Sequence, residues 1–268
     1  MKSIIHVGMD VHTTNYTLCC YRMDTDEIFA VVKTEPDAKN ILKYIEQIKK
    51  NHGQQWEIQC GYEAGVLGYS LYHQLTDQGI DCVILAPSTM PKSKKRELKT
   101  DKRDAAKVAR CLAYRTYSRV HIPNAGDNAV KEYIRMRDDA KETVKKLKQR
   151  ILSFCTRNGK QYSGGKSYWT QRHLAWLKQQ SFGEEILQEA YEEYLLLYHQ
   201  AFEKVQRFDK RIAEIAQTEQ YQQQVKKLSC LIGVSMHIAL ATLVETGDFK
   251  RFATAGQYSS LTSNVAKL

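Results

Sequence analysis

No two cysteines in this chain of 268 residues are spaced as Cys-x-x-Cys. Its seven cysteines, Cys19, Cys20, Cys60, Cys82, Cys111, Cys155 and Cys230, are scattered and odd in number. That excludes a disulfide framework and the usual zinc spacings, and it fits a reducing cytoplasm. The longest apolar run, around residues 238–244, falls well short of the roughly 20 residues a spanning helix needs. The N-terminus carries one lysine and a short apolar stretch broken by Asp10, so no secretory signal is expected. Internal repeats and low-complexity tracts are missing too. The expectation is a soluble cytoplasmic protein with no membrane partner.

What the chain does have is positive charge, and the charge is localised. Residues 1–91 hold 7 basic and 11 acidic side chains, residues 92–150 hold 19 and 8, and residues 151–268 hold 14 and 11. The whole excess of +10 therefore lies in the middle segment, which favours a polyanionic partner there.

Three β-rich runs open the chain, IIHVGMD (4–10), NYTLCCYRM (15–23) and EIFAVVK (27–33), with links short enough for antiparallel neighbours. Pro36 can start a helix with Ile41, Leu42, Ile45 and Ile48 on one face. WEIQCGYE (56–63) reads as a strand, Leu67, Leu71 and Leu75 as a helix ended by Gly79, and DCVILA (81–86) as a buried strand. With a helix from about 101, the order β-β-β-α-β-α-β-α predicts a mixed five-stranded sheet with helices on its faces, for which an RNase H-like α/β domain is one solution. Beyond residue 126 the pattern turns helical. Val130, Ile134, Ala140, Val144, Leu147, Ile151 and Phe154 form one stripe, and Leu197, Ala201, Val205, Phe208, Ile212 and Ile215 form a heptad-like second. Two long helices either side of the loop RNGKQYSGGKSYW (157–169) fit an antiparallel coiled-coil hairpin or two helices of an ordinary bundle. A compact helical segment follows from about 226. The expected domains are 1–120, 121–220 and 221–268, the last a partial helical C-terminal domain.

The stretch KTDKRDAAKVARCL (99–112) places two acids inside the most basic part of the chain. On a helix each residue advances about 100°, so Asp101 and Asp104 share the side of Ala105, Val108 and Leu112. Lys102, Arg103, Lys107 and Arg110 take the flank and back. Asp10 follows a strand in GMDVH, and Glu63 ends another in GYEAG, where open α/β sheets place function. If the helix packs on those strand ends, four carboxylates converge. Such a cluster is costly unless hard cations neutralise it, and oxygen donors suit Mg²⁺ or Mn²⁺. Paired metals of this kind serve phosphodiester chemistry. Lys92, Lys94, Lys95, Arg96 and Lys99, with Lys102, Arg103, Lys107 and Arg110, would then hold a nucleic-acid backbone over the acids. Singly, each acid has a plainer reading: Asp10 as a turn cap, Glu63 as a turn acid, and Thr100 and Asp101 as helix-start residues with Asp104 favourable to the dipole. His12 reads as a surface residue. Only the joint placement argues for a site.

GMDVH, GYEAG and KTDKRDA, in this order and spacing, resemble the insertion-sequence transposases of the DEDD type (the insertion sequence one-ten family), a group that includes the Piv-type DNA invertases. The resemblance implies a RuvC-like first domain in which Asp10, Glu63, Asp101 and Asp104 are catalytic and metal-ligating. It implies Mg²⁺- or Mn²⁺-dependent DNA transposition or inversion by cutting and rejoining. It also implies DNA as partner, a structured guide RNA as in some members, and self-association through the helical region. A second conserved region resembles LSCLIGVSMHIALATLVETGDFKRFATAGQY (228–258), where Ile232 replaces a proline and Ser235 a glycine of the family's hairpin. The family continues into a "GLxP" segment and a serine that attacks DNA. The residues after 258 do not match it, and Ser259, Ser260 and Ser263 are not assigned that role by the motif. The expectation is a C-terminally truncated copy with impaired recombination. A non-enzymatic nucleic-acid binder is the alternative. An actin-like ATPase fits less well, because its later Gly-rich phosphate turns are missing.

Overall fold

Ile5, Val7 and Met9 alternate with His6, Gly8 and Asp10, and this period of two gives β1 (Ile4–Val11) two different faces. The computed structural model describes residues 4–53, 56–91 and 100–259. It divides into two units, Met1–Ile122 and Pro123–Leu268. In the first, β1 is joined by β2 (Tyr16–Arg22), β3 (Glu27–Thr34), β4 (Glu57–Glu63) and β5 (Asp81–Leu85) in the order β3-β2-β1-β4-β5. The β1–β2 and β2–β3 pairs are antiparallel, and the β1–β4 and β4–β5 pairs are parallel. That order, with β2 alone reversed, is the RNase H-like sheet expected from the sequence.

One sheet face packs under α1 (Ala38–His52) and α2 (Ser70–Thr76). Ile5, Val7 and Met9 meet Ile41, Ile45, Leu71 and Leu75 in a single buried cluster. Helix α1 starts two residues later than Pro36 at its first position would give, because the Asp37 carboxylate accepts from the Lys39 amide and so serves as the N-cap.

Among the described residues the other face carries one helix, α3 (Asp101–Tyr114), and glycine decides how close it sits. Gly8 and Gly61 are register partners on β1 and β4. A Cβ on Gly8 would collide with the Ala105 carbonyl oxygen and the Ala109 amide nitrogen, and would lie 2.8 Å from the Ala109 Cβ. One on Gly61 would lie 2.9 Å from the Val83 carbonyl oxygen and 3.0 Å from Leu112 Cδ2. Ala105, Ala109 and Ala113, at helical spacing of four, form the matching ridge and bury against Cys19 and Tyr21. Val108, Cys111 and Leu112 bury against Val83 and Leu85. Glycine on the strands and alanine on the helix together allow near-backbone contact.

The second unit is helical. Helices α4 (Ala125–Arg157) and α6 (Glu185–Ala216) run antiparallel: Tyr133 meets Phe208, Arg137 meets Asp209, and Phe154 meets Tyr191. Between them, residues 158–169 form the expected loop, followed by a short helix, α5 (Gln171–Lys178), that the sequence reading did not anticipate. Its signal was present, since Thr170 caps it and Leu177 is its buried anchor. Helices α7 (Gln222–Leu228) and α8 (Met236–Thr246) complete the unit. They pack Val225, Ala239, Leu240 and Val244 against Ile134 and Ile212. Gly233 turns the chain between them with φ +85°, and Ser235 caps α8 by accepting from the Ile238 amide. Serine at that position thus starts a helix. No described helix is long and apolar enough to cross a membrane.

Replacing Gly8 by alanine is expected to destabilise the first unit by about 1–3 kcal/mol, because the clashing atoms are backbone and cannot rotate away. Gly65→Ala, whose Cβ would meet nothing closer than 3.8 Å, is the control and should be near neutral. Urea unfolding followed by circular dichroism measures both. Equal midpoints for the two variants would contradict the close packing of α3.

Candidate active site

Near the carboxyl ends of β1 and β4, four residues form a row across the sheet. Asp10 of β1 lies opposite Thr17 of β2, and Thr17 lies opposite Lys33 of β3. On the other side Met9 pairs with Tyr62, so Glu63 falls beside Asp10 one step further along β4. Alternation puts Asp10 two residues beyond Gly8, and Glu63 two beyond Gly61, on the face that α3 covers. The start of α3 comes to the same place. Thr100 caps the helix by accepting from the Arg103 amide, and Asp101 and Asp104 occupy its first turn.

Three side chains close into a tight group. Single ligand atoms of Asp10, His12 and Asp101 all lie within 4.8 Å of one another. His12 Nε2 stands 3.2 Å from Asp10 Oδ2, and Lys33 Nζ donates to Asp101 Oδ2 at 2.9 Å. Burial is the main cause that pushes the Asp10 carboxyl above its ordinary range; His12 pulls it down, and the Asp104 and Asp101 charges push it up. Asp101 goes the other way. Its hydrogen bond and charge contact with Lys33 hold it below the ordinary range. Thr17 is 4% exposed, and its Oγ1 has no hydrogen-bond partner among the described residues.

The acids singled out in the sequence are brought together unequally. Asp10 and Asp101 belong to the tight group, and Asp104 bears on Asp10 through its charge. Glu63 ends the neighbouring strand and is not part of that group. Of the basic residues, Lys102, Arg103 and Arg110 are exposed and Lys107 is half-buried, with the Arg110 guanidinium 5.9 Å from the Tyr21 ring centroid. Lys92, Lys94, Lys95, Arg96 and Lys99 lie outside the described residues, as do Ser260 and Ser263. Sequence reasoning missed His12 and Lys33. His12 had a signal, since it stands two residues past Asp10, just beyond the end of β1, where strand alternation carried one step further returns to the same face. Lys33 had none, because only the strand register brings it to Asp101.

The donor set suits a hard divalent cation. It offers carboxylate oxygens with one imidazole, and the Asp10 carboxyl carries unfavourable charge that a cation would relieve.

The family model for DEDD transposases of the IS110 type, described as Transposase, matches residues 7–157. The chain is similar to the "Transposase for insertion sequence element IS1533" of Leptospira borgpetersenii, 36% identical over 252 residues, covering 93% of this chain and 72% of that one. It is also similar to the "Putative transposase y4qE" of Sinorhizobium fredii (strain NBRC 101917 / NGR234), 32% identical over 196 residues. That match spans 73% of this chain and 47% of the relative. Among solved structures, "T. thermophilus RuvC in complex with Holliday junction substrate" aligns at TM-score 0.31 and 8% identity, over 44% of this chain and 99% of the other. The fold assignment rests on the strand order and polarity instead.

Neutralising Asp10 tests its electrostatics directly. A carboxyl whose pKa is raised by folding contributes stability below its ordinary range and loses it as pH rises through the raised value. In a chelator, Asp10→Asn should therefore melt above the parent at pH 7, by about 1–3 °C for a group this screened, and the gap should shrink toward pH 4. A variant that melts lower at pH 7 would show that Asp10 is an ordinary structural acid.

Proposed function

The chain belongs to the DEDD-type transposases of the IS110 family, and from that premise we propose that it binds DNA and breaks and rejoins phosphodiester bonds at Asp10, Glu63, Asp101 and Asp104. The observation that carries this reading is the delivery of the first turn of α3 onto the strand end that bears Asp10. Asp10 and Asp101, with His12 beside them, would hold a Mg²⁺ or Mn²⁺ ion, and Asp104 and Glu63 would complete the carboxylate set. A bound ion supplies Lewis acidity toward a phosphate oxygen. Lys33 holds Asp101 in place through its 2.9 Å contact and keeps that carboxylate ionised. Lys102, Arg103 and Arg110 are exposed around the same helix and would position the DNA backbone without reading its sequence. A structured guide RNA belongs to the same reading, because residues 92–150 carry 19 basic side chains against 8 acidic ones. So does self-association through α4 and α6.

Nicking of a plasmid carrying the element's ends tests the chemistry. With Mg²⁺, the variants Asp10→Asn, Asp104→Asn and Glu63→Gln should each lose about 100-fold or more in rate while binding DNA within about twofold of the parent. EDTA should abolish nicking in the parent. Nicking that survives EDTA, or that all three variants retain, would overturn the metal–carboxylate chemistry, and a parent that binds DNA without nicking it would be only a nucleic-acid-binding protein. The basic residues have a separate signature. The triple variant Lys102→Gln/Arg103→Gln/Arg110→Gln should flatten the slope of log affinity against log salt by about 2–3, near 0.9 for each phosphate that is no longer neutralised. Anisotropy measured across a salt series reads this, and an unchanged slope would remove these residues from the interface.

A further inference from the structure

Four residues back along β1 from Asp10, the first unit contains a cleft of about 1140 Å³ at His6. His6, Trp56, Gln59, Arg115, Tyr117 and Arg119 line it. After α3 the chain turns back beside β5, with the Val120 amide donating to the Ile84 carbonyl at 2.8 Å, and this return carries Tyr117 and Arg119 to the cleft. His6 is only 7% exposed, yet its Nδ1 has no hydrogen-bond partner among the described residues. A buried polar atom in that state is unfavourable unless a ligand or solvent group enters to meet it.

Gln59 determines what His6 offers. The Gln59 amide nitrogen donates to Asp81 Oδ2 at 2.9 Å, so its carbonyl oxygen is the atom left to accept from His6. An imidazole that donates through Nε2 presents Nδ1 as an acceptor. Burial holds the His6 pKa below its ordinary value, and Arg115 adds to this, while Gln59 and Asp81 oppose it. The neutral ring thus keeps an unmet lone pair at the wall of the cleft. Arg115 and Arg119 are exposed guanidiniums. Trp56 and Tyr117 supply flat apolar surface, and Arg22 lies 4.8 Å from the Trp56 ring centroid, fixing that ring. Arg22 also pairs with Asp24, so the one acid lining the cleft is compensated.

A planar ring that bears N–H donors and is joined to a phosphate matches each of these groups. We propose that this cleft binds one nucleoside monophosphate unit whose base carries an exocyclic amine, supplied either as a free nucleotide or as an unpaired residue of a nucleic-acid strand. The base lies between Trp56 and Tyr117 with its amine on His6 Nδ1, and the phosphate meets Arg115 and Arg119. The site is separate from the carboxylates, and its occupancy does not depend on their chemistry.

Isothermal titration calorimetry on the whole chain with AMP, UMP, inorganic phosphate and a short single-stranded oligoadenylate tests it. The variants are Arg119→Gln and Arg115→Asn. Asparagine suits the latter because Arg115 sits at φ +54°, a left-handed conformation that asparagine tolerates. Both side chains are exposed, and circular dichroism melting verifies that the variants fold. The expected result is saturable binding of AMP or of the oligoadenylate, weakened about tenfold by either variant and unchanged by Asp10→Asn. Binding of AMP identifies a free nucleotide as a sufficient ligand; binding of the oligoadenylate alone identifies an unpaired strand residue, and either upholds the site. The proposal is overturned if neither ligand binds, or if both cleft variants bind like the parent. It also falls if phosphate alone, or UMP, binds as tightly as AMP.

Discussion

The contact between Gly8 and the backbone of α3 is the constraint on which the first unit turns. A helix resting on ordinary side chains is held off the sheet by their length. Here the missing Cβ atoms of Gly8 and Gly61 let the Ala105–Ala109 ridge settle against the strands themselves. That depth fixes where the first turn of α3 arrives. Asp101 and Asp104 reach the Asp10 strand end because Ala105, one residue further on, is locked over Gly8. The glycine of GMDVH and the alanines after KTDKRD are therefore two halves of one device. The acids of those motifs follow from it as geometry.

Electrostatics at that strand end are arranged to accept positive charge. The unpaired amides of the first turn give the α3 N-terminus a partial positive charge, which favours Asp101 and Asp104 there. Thr100 takes the Arg103 amide and completes the cap, so the plain reading of Thr100 as a helix-start residue holds alongside the functional one. Lys33 satisfies Asp101 from the edge strand. Asp10 is left with less favourable surroundings: partly desolvated, flanked by two further carboxylates, and met by His12 alone among the described residues.

Much of this was legible in the sequence, and the boundary of legibility is physical. Strands and amphipathic helices are written as local periodicity, so all five strands and α3 stand where IIHVGMD, NYTLCCYRM, EIFAVVK, WEIQCGYE, DCVILA and KTDKRDAAKVARCL indicate. The helical angle alone put Asp101 and Asp104 on the side of Ala105, Val108 and Leu112, all three of which are buried. Register is not local. The row Asp10–Thr17–Lys33 depends on how two antiparallel pairs align, with an irregularity between Leu18 and Cys20, and no periodicity encodes that. The cleft at His6 was hidden for the same reason. It draws on β1, β4, the end of α3 and the segment that returns along β5, and no single motif contains it.

The second unit shows what a charged group looks like when its role is structural. Lys131 is only 6% exposed, and its amine meets Glu245 at 3.3 Å, joining α4 to α8. Arg137, 12% exposed, donates to Asp209 at 2.7 Å and to Asp138 at 3.0 Å, joining α4 to α6. Tyr221 donates to Asp127 at 2.6 Å and ties the segment after α6 to the start of α4. Each of these buried or half-buried charges has an opposite charge or a strong donor facing it, which is the condition for burying charge without large cost. Asp10 does not meet that condition. Its partner His12 is 51% exposed and is charged only when protonated, while its nearest further neighbours carry its own sign. In one chain, the same physical rule separates acids that hold helices together from an acid that no permanently charged partner faces among the described residues.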